Sequence, residues 1–474
     1  MQTSSLKNNL WRWSGAIITL LAFSAYCWLS VIRHVDFKTA GYDVGIFDQA
    51  IRHYAHFMPP YSPLKGIDFN LLGDHFHPIL ILITPLYWIW DDPRVLLIVQ
   101  SVLMAASIWL VWVFARRKLP GILAALVTAI YAFGWPLQAM ADFEFHEIAF
   151  ALPLLAWAAL SLDEEHPRDR QLFASCLLLL LVREDMGACV FMLGFIRALR
   201  KPRKQGIALA AIGFVAFFLV TMVIVPAFGD GFGYWQYSVL EEGPVAILKA
   251  LFLPFDKTRT LLALLIPLGF LPLFSKFSLV AMPIVLQRFL ADRESLWTTE
   301  YHYNAPVWTI ITMAAIPVLA KLIAKDRIRK VSTWLAAAIL LAQAVLSTGI
   351  NNDMFPLGTM FDRSPQLREQ VSNKKKIISQ IPDNVCVTAS ERFVPHLTDR
   401  TRVTVPGVEA PKPDFIVLHA DELPHPVDES ITAQDEYDKA LATGYTQIAR
   451  EGGSILLRSG DYQGPRTECG PLAG

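Results

Sequence analysis

Charge is what this sequence has little of. Asp, Glu, Lys and Arg make up only 18% of its 474 residues, where average soluble domains carry roughly a quarter. The 42 basic and 42 acidic residues cancel, so no basic footprint marks a nucleic-acid binder. Cysteine is also sparse. Cys27, Cys176 and Cys189 lie in apolar runs, and Cys386 and Cys469 lie near the end. No CxxC pair or Cys/His metal spacing occurs, which removes the usual signal of a structural zinc site.

Apolar residues are abundant instead, at 54% of the chain with a mean hydropathy of +0.39. Long apolar stretches recur as far as residue 350, and a spanning helix needs only ~20 such residues. A polytopic α-helical membrane protein is the class that fits. Residues 14–32 follow a short basic leader with no small-residue cleavage site, which reads as an uncleaved first helix. Further spans are expected near 95–115, 120–137, 148–162, 171–182, 187–199, 206–226, 260–275, 277–290, 305–324 and 332–350, about eleven in all.

Lys and Arg of short loops stay cytoplasmic. On this map Arg116–Lys118, Arg168 and Arg170, Arg200–Lys204, Lys276 and Lys325–Lys330 all fall on one side. Asp43, Asp48, Asp68, Asp74, Asp142, Glu144, Glu147, Glu184, Asp185, Glu241, Glu242, Asp292, Glu294 and Glu300 fall on the other. The expected topology is therefore N-terminus inside and tail outside. "HPILILITPLYWIW" (77–90) is short, contains Pro85 and ends in aromatics that favour the interface, so it reads as an interfacial or re-entrant segment. Residues 1–350 then form the membrane domain, with outer-loop helices over 33–94.

Beyond residue 350 the composition turns polar, and short apolar strands (385–387, 414–420, 453–459) alternate with helical patterns. That is the signature of a small α/β domain, expected over 351–460 and followed by a flexible tail, 461–474. It holds no glycine-rich phosphate loop and no nucleophile elbow. An oxidising compartment would allow Cys386 and Cys469 to bridge, although spacing alone does not pair cysteines.

The chemistry-bearing residues cluster on the acidic side. From "GYDVGIFDQA" (41–50) onward, Val44, Phe47, Ile51, Tyr54 and Met58 recur at helical spacing. Residues 43–58 should thus be an amphipathic helix on the outer leaflet, with Asp48, Gln49, Arg52, His53 and His56 on its polar face. Asp43 at the helix start either caps free N–H groups or does chemistry. Asp48 is either an i,i+4 partner of Arg52 or a second acid. "NLLGDHFHP" brings Asp74, His75 and His77, and "DFEFHE" brings His146. "WTTEYHYNAP" brings His302 and Tyr303. "VREDMG" (182–187) joins two apolar segments too short to span ~30 Å. Arg183, Glu184 and Asp185 should then sit at membrane depth, either neutralising one another or lining a wet cavity. Carboxylates mixed with imidazoles suit hard-to-borderline divalent cations such as magnesium or manganese, or general acid/base work. Asp74, His75 and His77 are the candidate metal ligands. Arg183, Glu184, Asp185, His146, His302 and Tyr303 are the candidate substrate contacts.

"YDVGIFDQA", "GDHFHPI", "FHEIAFALPLLAWA", "REDMG", "YHYNAP" and "ERFVPHLTDR" (391–400) resemble the motifs of the bacterial and archaeal membrane-protein family catalogued as domain of unknown function 2079. The resemblance runs over about residues 35–420. One position departs: the family carries proline after the histidine of its Phe-His motif, where this chain has Glu147. That family is similar to the C-type membrane glycosyltransferases, which use lipid-phosphate sugars and carry an essential acid in the first outer loop. The resemblance implies Asp43 as that acid, with Asp48 the alternate, and a polyprenyl-phosphate sugar as donor. A divalent ion or a basic group would hold the lipid phosphate, and no soluble cofactor is implied. The rival reading is a transporter or lipid flippase. Such proteins place broken helices near the midplane and show internal repeats, whereas here the acids crowd the outer rim. A third reading is a non-catalytic envelope-assembly protein.

Overall fold

A computed structural model of the chain describes residues 2–163, 168–229, 237–346, 354–426, 428–465 and 469. Most of the expected flexible tail (461–474) and the end of the last expected span (347–350) lie outside the described residues.

In hydrocarbon every backbone N–H and C=O must be satisfied within its own segment, so apolar runs become helices. Among the described residues six helices are long and apolar enough to cross a membrane: Trp13–Val35, Arg94–Lys118, Gly121–Asp142, Arg203–Phe228, His302–Leu322 and Asp326–Leu346. Shorter apolar helices occupy Pro78–Tyr87, Glu147–Ser161 and Met186–Ala198, and another runs over Asp169–Leu179. The expected spans 260–275 and 277–290 are not continuous helices. The helix Phe255–Leu265 gives way to short 3₁₀ turns, Ile266–Leu268, Leu271–Phe274 and Lys276–Ala281, before the helix Met282–Leu290. Pro267, Pro272 and Pro283 each remove a backbone donor, and Gly269 and Phe270 both take left-handed φ.

Basic residues at or just beyond the ends of two helices, Arg94–Lys118 and Met186–Ala198, are held by nearby partners. Lys118 pairs with Asp163 at 2.7 Å and Arg197 with Asp169 at 2.6 Å, while Arg200 donates to the Leu162 carbonyl at 2.6 Å. Near "VREDMG" the helices Met186–Ala198 and Arg203–Leu219 touch backbone to backbone. A Cβ on Gly194 would lie 2.2 Å from Ala210 N, and one on Gly213 would lie 2.3 Å from Phe191 N. Small residues permit this approach where no hydrophobic force between helices is available.

The C-terminal part folds around a five-stranded sheet of β1 (Cys386–Ala389), β2 (Arg402–Thr404), β3 (Phe415–His419), β4 (Tyr445–Glu451) and β5 (Ser454–Ser459). The order is β2-β1-β3-β5-β4. β1 runs parallel to β2 and β3, and β5 pairs antiparallel with β3 and β4. β3 is buried at every position, hence its continuous apolar reading. β2 and β4 were not expected: β2 is very short, and β4 carries mostly exposed side chains. Cys386 and Cys469 are joined by a disulfide with Cα atoms 5.8 Å apart, within the usual range.

The sheet domain has no separate core on its membrane-domain side. One hydrophobic cluster runs from Tyr26 through Phe37, Val44 and Leu64 to Phe393, Val394 and Phe415. This changes the reading of residues 43–58. They form a π-helical turn, Gly41–Gly45, and a helix, Ile46–Ala55. Val44, Phe47 and Ile51 are buried as expected, but so are Asp48 and Gln49. Gln49 donates to the Val403 carbonyl at 2.9 Å and accepts from Ser62 Oγ and the Leu64 N–H. The polar face of the helix is therefore partly covered, by the C-terminal domain at Gln49 and by Arg52 and Tyr87 at Asp48.

Candidate active site

Asp43 sits on the Gly41–Gly45 turn. The N-cap position of that turn is Ala40 and takes no side-chain bond, so the capping role is not the one the fold uses. The Asp43 side chain is 22% exposed, and its Oδ1 lies 3.3 Å from His146 Nε2. His146 stacks on His302 with ring centroids 3.7 Å apart. Phe143 packs against both imidazoles, and Tyr301 meets Phe143 edge-on at 4.6 Å. The Nδ1 atoms of His146 and His302 are buried without a hydrogen-bond partner. A buried polar atom left unpaired costs free energy, so each marks a place where a ligand's oxygen would be favourable.

The turn that carries His146 is strained. Glu144 takes φ +83°, a left-handed conformation uncommon outside glycine and costing of order 1–3 kcal/mol. Gln100 holds it. The amide of Gln100 donates to the Glu144 carbonyl and, at 3.0 Å, to that of Met140, and its oxygen accepts from His146 N–H at 3.0 Å. The Glu144 carboxylate accepts from Ala40 N–H at 2.9 and 3.0 Å, immediately before the Asp43 turn. Burial, then the Asp43 charge, pushes Glu144 well above the ordinary carboxylate range. Glu391, contributed by the C-terminal domain, is raised to about 7 by the same causes in the same order. Neither was a candidate from sequence. Glu144 was visible only as one of several acids in "DFEFHE", and Glu391 only as the first residue of "ERFVPHLTDR".

A second cluster lies around "VREDMG", whose Arg183, Glu184 and Asp185 are all buried. Arg183 makes a fork to Asp185 at 2.9 and 2.6 Å and reaches Glu147 at 3.5 Å. Glu184 accepts from His75 Nδ1 at 2.8 Å and from Phe76 N–H at 3.1 Å. Burial opposes the charge on His75, but Glu184 outweighs it and lifts the imidazole to about 9. Burial likewise opposes the charge on Glu184, and His75 with Arg183 draws it down to about 2. The trio thus mixes mutual neutralisation, Arg183 with Asp185, and an outward link through Glu184. The two clusters meet at His302, which lies within electrostatic reach of His146, Arg183, Arg288 and His75.

Other candidates stand apart. Asp48 is not beside Asp43 as a second acid: its fully buried carboxylate is held by Arg52 Nε at 2.7 Å and Tyr87 Oη at 2.7 Å. Tyr303 packs on His302 at 4.1 Å, and its ring also lies under the Arg288 guanidinium. Arg288 fixes the loop before it by donating to the Leu296 and Tyr303 carbonyls and to Asn304 Oδ1. Asp74 is paired with Lys65 at 2.6 Å, His75 is committed to Glu184, and His77 faces the Phe47 ring. Among the described residues no three His, Cys, Asp or Glu side chains converge as metal donors. Asp74, His75 and His77 as they stand do not fit a divalent ion, because Lys65 and Glu184 hold the first two on partners of their own. A cavity of about 320 Å³ lined by Gln138, Leu340, Gln343 and Leu357 shares no residue with these clusters.

The family model for "Predicted membrane protein (DUF2079)" matches residues 33–456. The chain belongs to that family. No curated protein matches it. Among solved structures it is similar to ArnT from Cupriavidus metallidurans bound to undecaprenyl phosphate. The TM-score is 0.53 at 14% identity, covering 95% of this chain and 99% of that one. The apo form of the Archaeoglobus fulgidus oligosaccharyltransferase is also similar, with a TM-score of 0.43 at 12% identity over 96% of this chain and 75% of that one. This DUF2079 protein therefore has an ArnT-like membrane fold.

Proposed function

We propose that this protein is an integral membrane glycosyltransferase that moves a sugar from a polyprenyl-phosphate donor to an extracytoplasmic acceptor. The observation that carries the reading is the Asp43–His146–His302 arrangement. A partly exposed carboxylate stands beside two stacked imidazoles, each with a buried, unused Nδ1, in a fold shared over nearly its whole length with a protein bound to undecaprenyl phosphate.

The chemistry follows from the groups present. Asp43 accepts the proton of the acceptor hydroxyl as that oxygen bonds to the anomeric carbon. The bond from the anomeric carbon to the donor phosphate breaks, and its electron pair leaves on a phosphate oxygen. Charge developing there is stabilised by preorganised donors, and His146 and His302 supply N–H groups without spending the Arg183 guanidinium, which is committed to Asp185 and Glu147. Arg183, Glu184 and Asp185 shape the floor below. A proton held on Glu144 keeps the carboxyl cluster from carrying its full charge.

The tail would face outside. The Cys386–Cys469 disulfide supports an oxidising compartment, and the grouping of basic residues supports the sidedness. A reporter fused after residue 360 that is active only in the cytoplasm would overturn it. For the activity, purified protein is mixed with polyprenyl-phosphate sugars and the release of polyprenyl phosphate is followed. Failure to bind any polyprenyl phosphate would remove the proposal.

A further inference from the structure

The C-terminal turn "ERFVPHLTDR" has no role in the chemistry above, yet its residues meet the Asp43 segment one after another. Glu391 accepts from the backbone N–H of Tyr42. Arg392 Nη1 donates to the Lys38 carbonyl at 3.1 Å. Phe393 packs edge-on against Phe37 at 5.9 Å, and His396 stacks on Phe37 at 3.8 Å and on His34 at 4.2 Å. Val394 lies on the two glycines that flank Asp43: a Cβ on Gly41 would meet Val394 at 3.1 Å, and one on Gly45 would meet Val394 Cγ1 at 3.1 Å. Ala40 N–H is meanwhile held by Glu144. The backbone just before Asp43 is thus pinned from two directions, by a carboxylate of the membrane domain at residue 40 and a carboxylate of the C-terminal domain at residue 42.

We infer that the C-terminal turn 391–396 is a clamp that sets the position of Asp43, with Glu391 and Val394 as its positioning residues. The site is then incomplete without the docked C-terminal domain. The N–H groups of Ala40 and Tyr42, two residues apart, are satisfied by side chains far apart in sequence. The glycines let Val394 approach the turn too closely for a side chain to intervene. A general base must reach its proton within hydrogen-bond distance, and a shift of about 1 Å costs of order 10²-fold. A turn with no side-chain cap of its own needs such external support.

The inference rests on Asp43 as the working acid, so the test has an arm independent of turnover. Asp43→Cys is introduced alone and together with Glu391→Gln or Val394→Ala. Modification at position 43 by a soluble maleimide is followed in the full-length protein by peptide mass spectrometry. The buried thiols of Cys176 and Cys189 report any general loosening. In parallel, transfer by Glu391→Gln, Glu391→Asp and Val394→Ala is measured with Asp43 intact. Expected is several-fold faster modification at position 43 with Cys176 and Cys189 still protected. kcat should fall by about 10–10²-fold with KM little changed, and Glu391→Asp should recover part of the loss. Unchanged modification in both double variants overturns the clamp even where transfer depends on Asp43. Cys176 becoming reactive together with position 43 reduces the turn to general stability and also overturns it. If no donor is turned over, the maleimide result alone decides the clamp while the transferase reading fails separately.

Discussion

His146 holds Asp43 through Nε2 at 3.3 Å while its ring lies flat against His302. One imidazole therefore joins the acid at the rim to the buried interior, and the consequences can be measured.

Asp43→Asn keeps the size of the side chain and leaves the Ala40–Glu144 contact in place. Insertion and thermal stability should match the parent. Transfer should fall by ~10²–10⁴, the worth of a positioned base. A well-inserted variant with full transfer would take Asp43 out of the mechanism.

His302→Phe preserves the aromatic stack on His146 and removes only the nitrogens. Stability should change little, whereas kcat should drop by about 10²–10³ if an Nδ1 donor faces the leaving phosphate. Parental kcat in this variant would assign His302 to packing alone.

The His75–Glu184 pair sets a pH window for stability. His75, raised to about 9 from an ordinary 6.5, stabilises fully below 6.5, and that contribution is lost as pH rises through about 9. Glu184, lowered to about 2 from 4.5, stabilises above 4.5, and that contribution is lost as pH falls toward 2. The full effect is therefore confined between pH 4.5 and 6.5. The thermal midpoint in detergent, parent minus Glu184→Gln, should be widest in that interval and narrow on either side. A difference that is flat from pH 5 to 9.5 would contradict the pairing.

Gly45→Ala places a Cβ 2.9 Å from Leu64 Cδ1 and 3.1 Å from Val394 Cγ1. Overpacking of this kind costs about 1–3 kcal/mol, and here it pushes the C-terminal turn off the Asp43 segment. Unfolding should come at lower temperature, and pairing with Val394→Ala should restore part of the loss. An additive, unrestored double variant would show that the two do not share a contact.

Cys386→Ser opens a loop closed across a separation of 83 residues, worth about 4–5 kcal/mol in the chain-entropy account. Limited proteolysis should cut the C-terminal domain of the variant and spare that of the parent, and reducing agent should erase the difference. Equal resistance without reductant would argue that the bridge does not form in the cell.

The sequence by itself determined the membrane class, most of the long helices and the short strands β1, β3 and β5. Each of these is a local property: burial in hydrocarbon and the apolar pattern along a strand act within one segment. It also brought forward Asp43, with Asp48 the alternate, as an acid just after the first span. Tertiary structure alone decided what surrounds that acid. Asp48 looked equivalent on the helix face until Arg52 and Tyr87 enclosed it. Asp74, His75 and His77 looked like a ligand set until Lys65 and Glu184 drew two of them apart. Proline and left-handed turns broke the region 260–290, which hydropathy reads as two spans. Glu391 reaches Tyr42 only because two domains share one hydrophobic core. Side-chain direction and domain docking are set by contacts between distant segments, and no periodicity within a segment encodes them.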